Sequence, residues 1–217
     1  MTVLPKAILF DADGTLYDSE PLHYAATRLA ALELHDFDLS EELFDLHMRK
    51  GSKMGHEVLR EQGFDASESD YQVAKLKHFQ RLVAENLQLM PGLENFLAWC
   101  ERQNVATIVV STSRREQLES ALSATGIRDY FTIIVGHEDT VGKKKPDPYP
   151  WLRALELAKL SSSDVIAIED TKKGITSAVA ADIRCFGIRN ALNDKHELAQ
   201  AEFIIEDYSE LQSYLLR

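Results

Sequence analysis

Ala7-Ile8-Leu9-Phe10-Asp11-Ala12-Asp13-Gly14-Thr15 decides how the rest of the chain is read. The apolar run Ala7–Phe10 is long enough for one buried strand, and it runs straight into two carboxylates and a Gly-Thr turn. In a parallel α/β sheet, the crevice beyond the carboxyl ends of the strands is where ligands bind. Side chains alternate along extended backbone, so Asp11 and Asp13 can share one side of it. Paired carboxylates there suit a hard divalent cation such as Mg²⁺. Taken alone, Asp-Gly is also ordinary turn punctuation. A helix–loop–helix calcium loop starting at Asp11 is excluded, because it needs Gly at its sixth position and Glu at its twelfth, where Leu16 and Leu22 stand.

Outward from this stretch, the chain changes character twice. Glu20-Pro21 opens a helical region, since Pro suits a first helical turn. Helices are expected over 22–34, from Ser40 to about Met48, from about Met54 to Gln62, and over 67–88. In the last of these, Leu76, Phe79, Leu82 and Val83 share one face. No strand is expected between 16 and 88. At Pro91-Gly92 strand-like apolar runs begin to alternate with helical patterns. Strands are expected at Val105–Val110, Thr132–Val135, Val165–Ile168, Cys185–Ile188 and Glu202–Ile205. Helices are expected at Arg115–Thr125, Pro148–Leu160 and Lys172–Ala181, with helical segments after each of the last two strands. Such alternation implies right-handed βαβ units and a parallel sheet. The fold class is α/β: a doubly wound, Rossmann-like parallel sheet formed by 1–15 and 90–217, with an inserted all-helical domain at 16–89.

Bulk properties narrow the function. The chain has 217 residues, 45% apolar and 27% charged, with a net charge of −11. That balance argues against a general nucleic-acid or anionic-membrane surface. The apolar stretches fall far short of the roughly 18 residues a membrane span needs, and Asp11 and Asp13 interrupt the only early apolar run that a signal peptide would use. Cys100 and Cys185 have no metal-ligand spacing and read as reduced core residues. These features point to a cytoplasmic protein with no nucleic-acid or membrane partner; a monomer or weak homodimer is expected, although no feature of the sequence fixes the oligomeric state.

Three further expected strands also end in polar clusters. Ser111-Thr112-Ser113 offers hydroxyls and free backbone N–H groups to a phosphate, or equally caps a helix. In Gly142-Lys143-Lys144-Lys145-Pro146-Asp147-Pro148, the prolines stiffen the backbone at Lys145, so that its ammonium can be aimed. Glu169-Asp170 follows four apolar residues, as Asp11 does, with Thr171 and Gly174 beyond. Arg114, Arg115, Lys143, Lys144, Lys145, Lys172 and Lys173 gather in these windows. In an acidic chain, that favours an anionic ligand at the strand ends.

These four clusters, in this order, resemble the motifs of the haloacid dehalogenase superfamily of phosphohydrolases: D-x-D-G-T, a hydroxyl after the second strand, a Lys before a helix, and paired acids after the fourth strand. The resemblance covers the core, and 16–88 is similar to the family's inserted helical cap. It implies an enzyme, a Mg²⁺-dependent phosphatase of a small phosphorylated metabolite of the sugar-phosphate kind. In that scheme Asp11 is the nucleophile that becomes an aspartyl-phosphate, and Asp13 is the general acid and base. Gly14, Ser111, Thr112 and Arg114 serve the phosphate, and Lys145 neutralises the phosphoryl group and Asp11. Asp11, Asp13 (through its carbonyl) and Asp170 hold the metal, with Glu169 in or beside that shell. Of the cap residues, His23, at the position of a hinge histidine, and Lys53 are assigned to binding the substrate or its phosphate.

The chain departs from the pattern at Tyr149, where the family commonly has an acid. Asp13 excludes the branches that lack a second aspartate. The alternative is a β-phosphoglucomutase-type phosphosugar mutase, against which stand Met54, where that enzyme has an arginine, and Thr15, where it tends to have Val. A non-catalytic phosphate-binding module would need a missing site residue, and none is missing. Substrate choice is expected to lie around Leu46–Gly55.

Overall fold

The computed structural model describes residues 4–44, 55–191 and 193–217. The chain divides into two compact units: Met1–Asp18 with Gln88–Arg217, and Ser19–Leu87.

The strand elements of the first unit begin with β1 (Ala7–Phe10) and β2 (Tyr17–Asp18). The chain then enters the helical unit, comprising α1 (Glu20–His35), α2 (Glu41–Phe44), α3 (Gly55–Glu61) and α4 (Glu68–Asn86). It returns through β3 (Gln88–Leu89) and α5 (Leu93–Arg102). There follow β4 (Ala106–Val110), α6 (Arg115–Ala124), β5 (Phe131–Val135), α7 (Tyr149–Ala158), β6 (Val165–Glu169), α8 (Lys172–Ala180), β7 (Arg184–Ile188), β8 (Phe203–Ile205) and α9 (Tyr208–Leu215).

Six strands form one sheet in the order β5-β4-β1-β6-β7-β8, and every pairing in it is parallel. β1 lies in the middle, pairing Phe10 with Val109 on one side and with Ile168 on the other. All four β1 residues are fully buried, the continuous apolar run expected of a parallel strand covered on both faces. Ala7 and Leu9 face a core with Trp151, Ala154, Ile175 and Ala178 of α7 and α8. On the opposite face, Phe10 meets Phe96, Phe131 and Tyr208 edge-on or tilted, with centroids 5.9–6.4 Å apart. From β1 the chain winds toward β5 on one side and toward β8 on the other. The strand order therefore reverses beside β1, and the sheet's ligand crevice belongs there. This is the doubly wound α/β class that the alternation predicts.

The structure differs from the sequence reading in three places. β2 and β3 form a two-residue antiparallel ribbon, Tyr17 against Leu89 and Asp18 against Gln88, where no strand was expected; two residues are too few to show periodicity. α5 occupies 93–102, for which no helix was expected, although Leu93, Phe96, Leu97 and Cys100 all face the core. The segment after β7 forms turns over 195–200 rather than the expected helix.

In the helical unit, Ala30, Ala31, Leu39, Phe44, Leu59, Phe64, Tyr71 and Ala74 share one core. The Ser67 side chain caps α4, accepting from Asp70 N at 3.1 Å. No helix among the described residues is long and apolar enough to cross a membrane.

Candidate active site

Three of the four polar clusters leave the carboxyl end of a strand, and the fourth, with Lys145, lies in the connection from β5 to α7. Asp11 follows β1, and its N–H donates to Ile168 O (2.9 Å), so the first residue of the loop is still fixed by β6. Ser111 follows β4 in the same way, its N–H donating to Val135 O (3.0 Å). Glu169 is the last residue of β6, and Asp170 follows it.

Lys145 ties these ends together. Its Nζ donates to Asp11 Oδ1 (2.5 Å), Glu169 Oε1 (2.7 Å) and Val110 O (2.9 Å), which engages all three ammonium hydrogens. Beneath it lies the ring of Trp151, 4.4 Å from Nζ to the centroid, a cation–π contact. The lysine side chain is only 6% exposed, and those of Asp11 and Glu169 are 12% and 1% exposed. The two lysine neighbours are placed differently: Lys144 is exposed, and Lys143 lies over the Tyr149 ring.

Glu169 owes its position to the start of α8. Its Oε2 accepts from Asp170 N (3.0 Å), Thr171 N (2.9 Å) and Thr171 Oγ1 (2.9 Å), where free helix N–H groups favour a carboxylate. A Cβ on Gly174 would lie 1.7 Å from Glu169 Oε1, so only glycine leaves room for this carboxylate.

Asp11, Glu169 and Asp170 each offer an oxygen, all within 4.8 Å of one another. Three carboxylates around one ammonium leave excess negative charge in a buried place. Burial, with Glu169 and Asp13 nearby, pushes the Asp11 carboxyl up to about 8, although Lys145 opposes the shift. Burial likewise raises the Asp170 carboxyl well above its ordinary value, assisted by Glu169 and Asp11 and opposed by Asn190 and Lys145. Burial alone would lower the Lys145 ammonium, but the two carboxylates beside it outweigh that and hold it above its ordinary value. An all-oxygen donor set with surplus negative charge fits a hard divalent cation.

The Asp13 carboxylate is not in that group. Its Oδ2 accepts from Ser113 Oγ (2.8 Å), while Ser113 N donates to Ser111 Oγ (3.1 Å). Gly14 turns the loop with φ +76°, and a Cβ there would lie 2.2 Å from Asp170 Oδ2.

The structure thus brings together Asp11, Lys145, Glu169 and Asp170. It links Asp13 to Ser111 through Ser113, and it seats Gly14 against Asp170. Thr112 and Arg114 are exposed, and Arg114 caps α6 with its N–H toward Gln117 Oε1. His23 lies in the helical unit, stacked on Phe79 at 4.3 Å. Lys53, like most of 46–55, lies outside the described residues.

Sequence reasoning missed four contributors. Ser113 was visible in the hydroxyl cluster, but its aim at Asp13 was not. Trp151 was not singled out within the expected Pro148–Leu160 helix. Asn190 and Asn193 follow the apolar run of β7, the same strand-end pattern that marked the other clusters. Asn190 Nδ2 donates to Asp170 Oδ2 (2.8 Å) and Asn193 Nδ2 to Asp170 O (2.9 Å).

Known proteins of similar sequence and fold identify the family. The family model for haloacid dehalogenase-like hydrolases matches residues 8–188. A "Phosphorylated carbohydrates phosphatase" of Thermotoga maritima is 32% identical over 200 residues, covering 90% of this chain and 91% of that protein. "Protein CbbY" of Cereibacter sphaeroides is 31% identical over 216 residues, covering 95% and 94%. The crystal structure of CbbY from Rhodobacter sphaeroides in complex with phosphate aligns with a TM-score of 0.83 at 27% identity, covering 96% of each chain. With its matched region spanning every residue of the Lys145 cluster, the chain belongs to the haloacid dehalogenase-like hydrolases and is an enzyme of that family.

Proposed function

We propose that this enzyme is a Mg²⁺-dependent phosphatase of a small phosphorylated carbohydrate, working through an aspartyl-phosphate on Asp11. The observation that carries the reading is the buried Lys145 ammonium bound to Asp11 Oδ1 beside Asp170. It holds a carboxylate nucleophile next to a fixed positive charge, which phosphoryl transfer needs more than elaborate covalent chemistry. The name of one relative, a phosphorylated carbohydrates phosphatase, supports the substrate class, and those of several phosphoglycolate phosphatases support hydrolysis of a small phosphate ester.

Asp11, Asp170 and the Asp13 main-chain carbonyl would hold the cation, which supplies positive charge to the phosphoryl oxygens. The Asp11 carboxylate attacks phosphorus while Lys145 offsets its charge. The bond from phosphorus to the substrate oxygen breaks, and Asp13 gives that oxygen its proton. Water then attacks the phosphorus of the aspartyl-phosphate and passes a proton to Asp13, which frees phosphate and restores Asp11. Ser113, bonded to Asp13 Oδ2, steadies that carboxylate for both transfers. Ser111 and the Thr112 N–H serve the phosphate, and the helical unit, with His23 and Lys53, selects the substrate.

The test is a phosphate-release screen over phosphorylated sugars and phosphoglycolate, with Mg²⁺ or EDTA. Release that disappears with EDTA and in Asp11→Asn is expected. Isomerisation of a sugar phosphate that needs a bisphosphate activator and releases little phosphate would replace the phosphatase reading with the mutase one. No turnover of any phosphorylated compound would overturn both.

A further inference from the structure

We infer that Asn190 is a positioning residue for Asp170 and sets how tightly the enzyme holds its divalent cation. This rests on the reading above that Asp11 and Asp170 hold the cation.

Asn190 belongs to none of the four motifs. It follows β7, two strands from β1, yet its Nδ2 donates both to Asp170 Oδ2 (2.8 Å) and to Gly14 O (3.2 Å). One amide nitrogen therefore ties the loop after β1 to the loop after β6, and both of its hydrogens are engaged. The orientation of the amide follows from its partners. Asn190 Oδ1 accepts from Asn193 N (3.1 Å), and Asn190 N donates to Asn193 Oδ1 (3.2 Å). A flipped amide would set oxygen against the Asp170 carboxylate and nitrogen against an N–H. Asn193 is pinned in turn, its Nδ2 donating to Asp170 O and to Ile188 O (2.8 Å).

Asp170 is therefore gripped at its carboxylate by one amide and at its carbonyl by the other. The chemistry of the clamp matters too. A lysine or arginine here would neutralise Asp170 and compete with the cation. A neutral amide turns the carboxylate without cancelling its charge. Loss of such outer partners typically weakens metal affinity by roughly 10–100-fold.

The test uses the whole chain without substrate and Mn²⁺ as probe, with free Mn²⁺ read by electron paramagnetic resonance. Asn190→Ala is expected to bind Mn²⁺ about 10–100-fold more weakly than wild type, and Asn193→Ala to shift binding in the same direction by less. In an Asp170→Asn background, Asn190→Ala is expected to add nothing. If Asn190→Ala does not fold, Asn190→Ser carries the same expectation. In turnover, the Mg²⁺ activation curve moves to higher concentration, while kcat at saturating Mg²⁺ and KM for substrate stay near wild type. Equal Mn²⁺ affinity in the variant and wild type overturns the inference alone, as does a loss that persists undiminished in Asp170→Asn. A wild-type protein that binds no Mn²⁺ overturns the metal site itself, and the inference with it.

Discussion

In the α/β unit, Lys145 and Asp11 meet from 134 positions apart, and both are almost wholly withdrawn from water. In the helical unit, charges pair on the outside, Arg28 with Asp38 and Lys77 with Glu33, with side chains 41–66% exposed. Its middle is filled by rings instead, where the Phe64 ring packs against those of His35, Phe37, His56 and Tyr71 with centroids 5.3–6.3 Å apart. Exposed pairs contribute little. A buried pair is different in kind, because loss of one partner strands the other without water. One unit thus fixes a few groups at exact distances, whereas the ring cluster of the other fills space. The demands on sequence differ accordingly: at 145 or 170 few side chains will do, whereas a ring cluster tolerates any repacking of similar volume.

The harshest way to break this comparison is Lys145→Met, which keeps the chain length and removes the charge. Turnover is expected to fall on the order of 10⁴-fold, measured as phosphate release from the best substrate of the screen, with circular dichroism checking the fold. A loss under tenfold would mean that the buried cation does not serve the chemistry.

A milder probe uses pH. The Asp11 carboxyl stands at about 8 rather than the ordinary 3.8, and Asp170 is raised as well. Between about pH 5 and 8 these two carboxyls hold more protons in the folded metal-free chain than in the unfolded one, so the stability they contribute falls as pH rises. The melting temperature in EDTA is expected to drop from pH 5 to pH 8. For a chain of this size each kcal/mol moves it by about 2–4 °C. Mg²⁺ should restore more at pH 8 than at pH 5, since protons compete for the same oxygens. A melting temperature in EDTA that rises over this range would contradict the surplus of buried carboxylate.

The smallest effect sharpens the other side. Tyr71→Phe removes the 3.4 Å contact from Tyr71 OH to Thr27 Oγ1 inside the ring cluster. It is expected to cost about 0.5–1.5 kcal/mol in urea unfolding and to leave Mn²⁺ binding unchanged.

The same contrast explains what could be read in advance. β1 and β6 were legible because buried parallel strands are unbroken apolar runs, and their acids because carboxylates rarely follow such runs without a use. Lys145 stood out from Lys144 through its prolines. Asn190 did not, although it too follows an apolar strand, because asparagine in a turn needs no further explanation. α5 was missed despite Phe96 and Cys100 on its inner face, and the β2–β3 ribbon has only Tyr17 and Asp18 to announce it. Ser113 and Trp151 were unreadable for another reason. Their roles depend on which side of Asp13 or Lys145 they occupy, and no spacing in the chain encodes that.

Trp151, fully buried with its ring against an ammonium, gives the protein an optical gauge of its own active centre. The light an indole emits shifts with the electric field across it, and here that field comes from Lys145 and the carboxylates it holds. The other tryptophan, Trp99, is stacked on Phe96 in α5; with it replaced by phenylalanine, the colour of the remaining emission would register each arrival and departure of charge at the catalytic centre without any added dye.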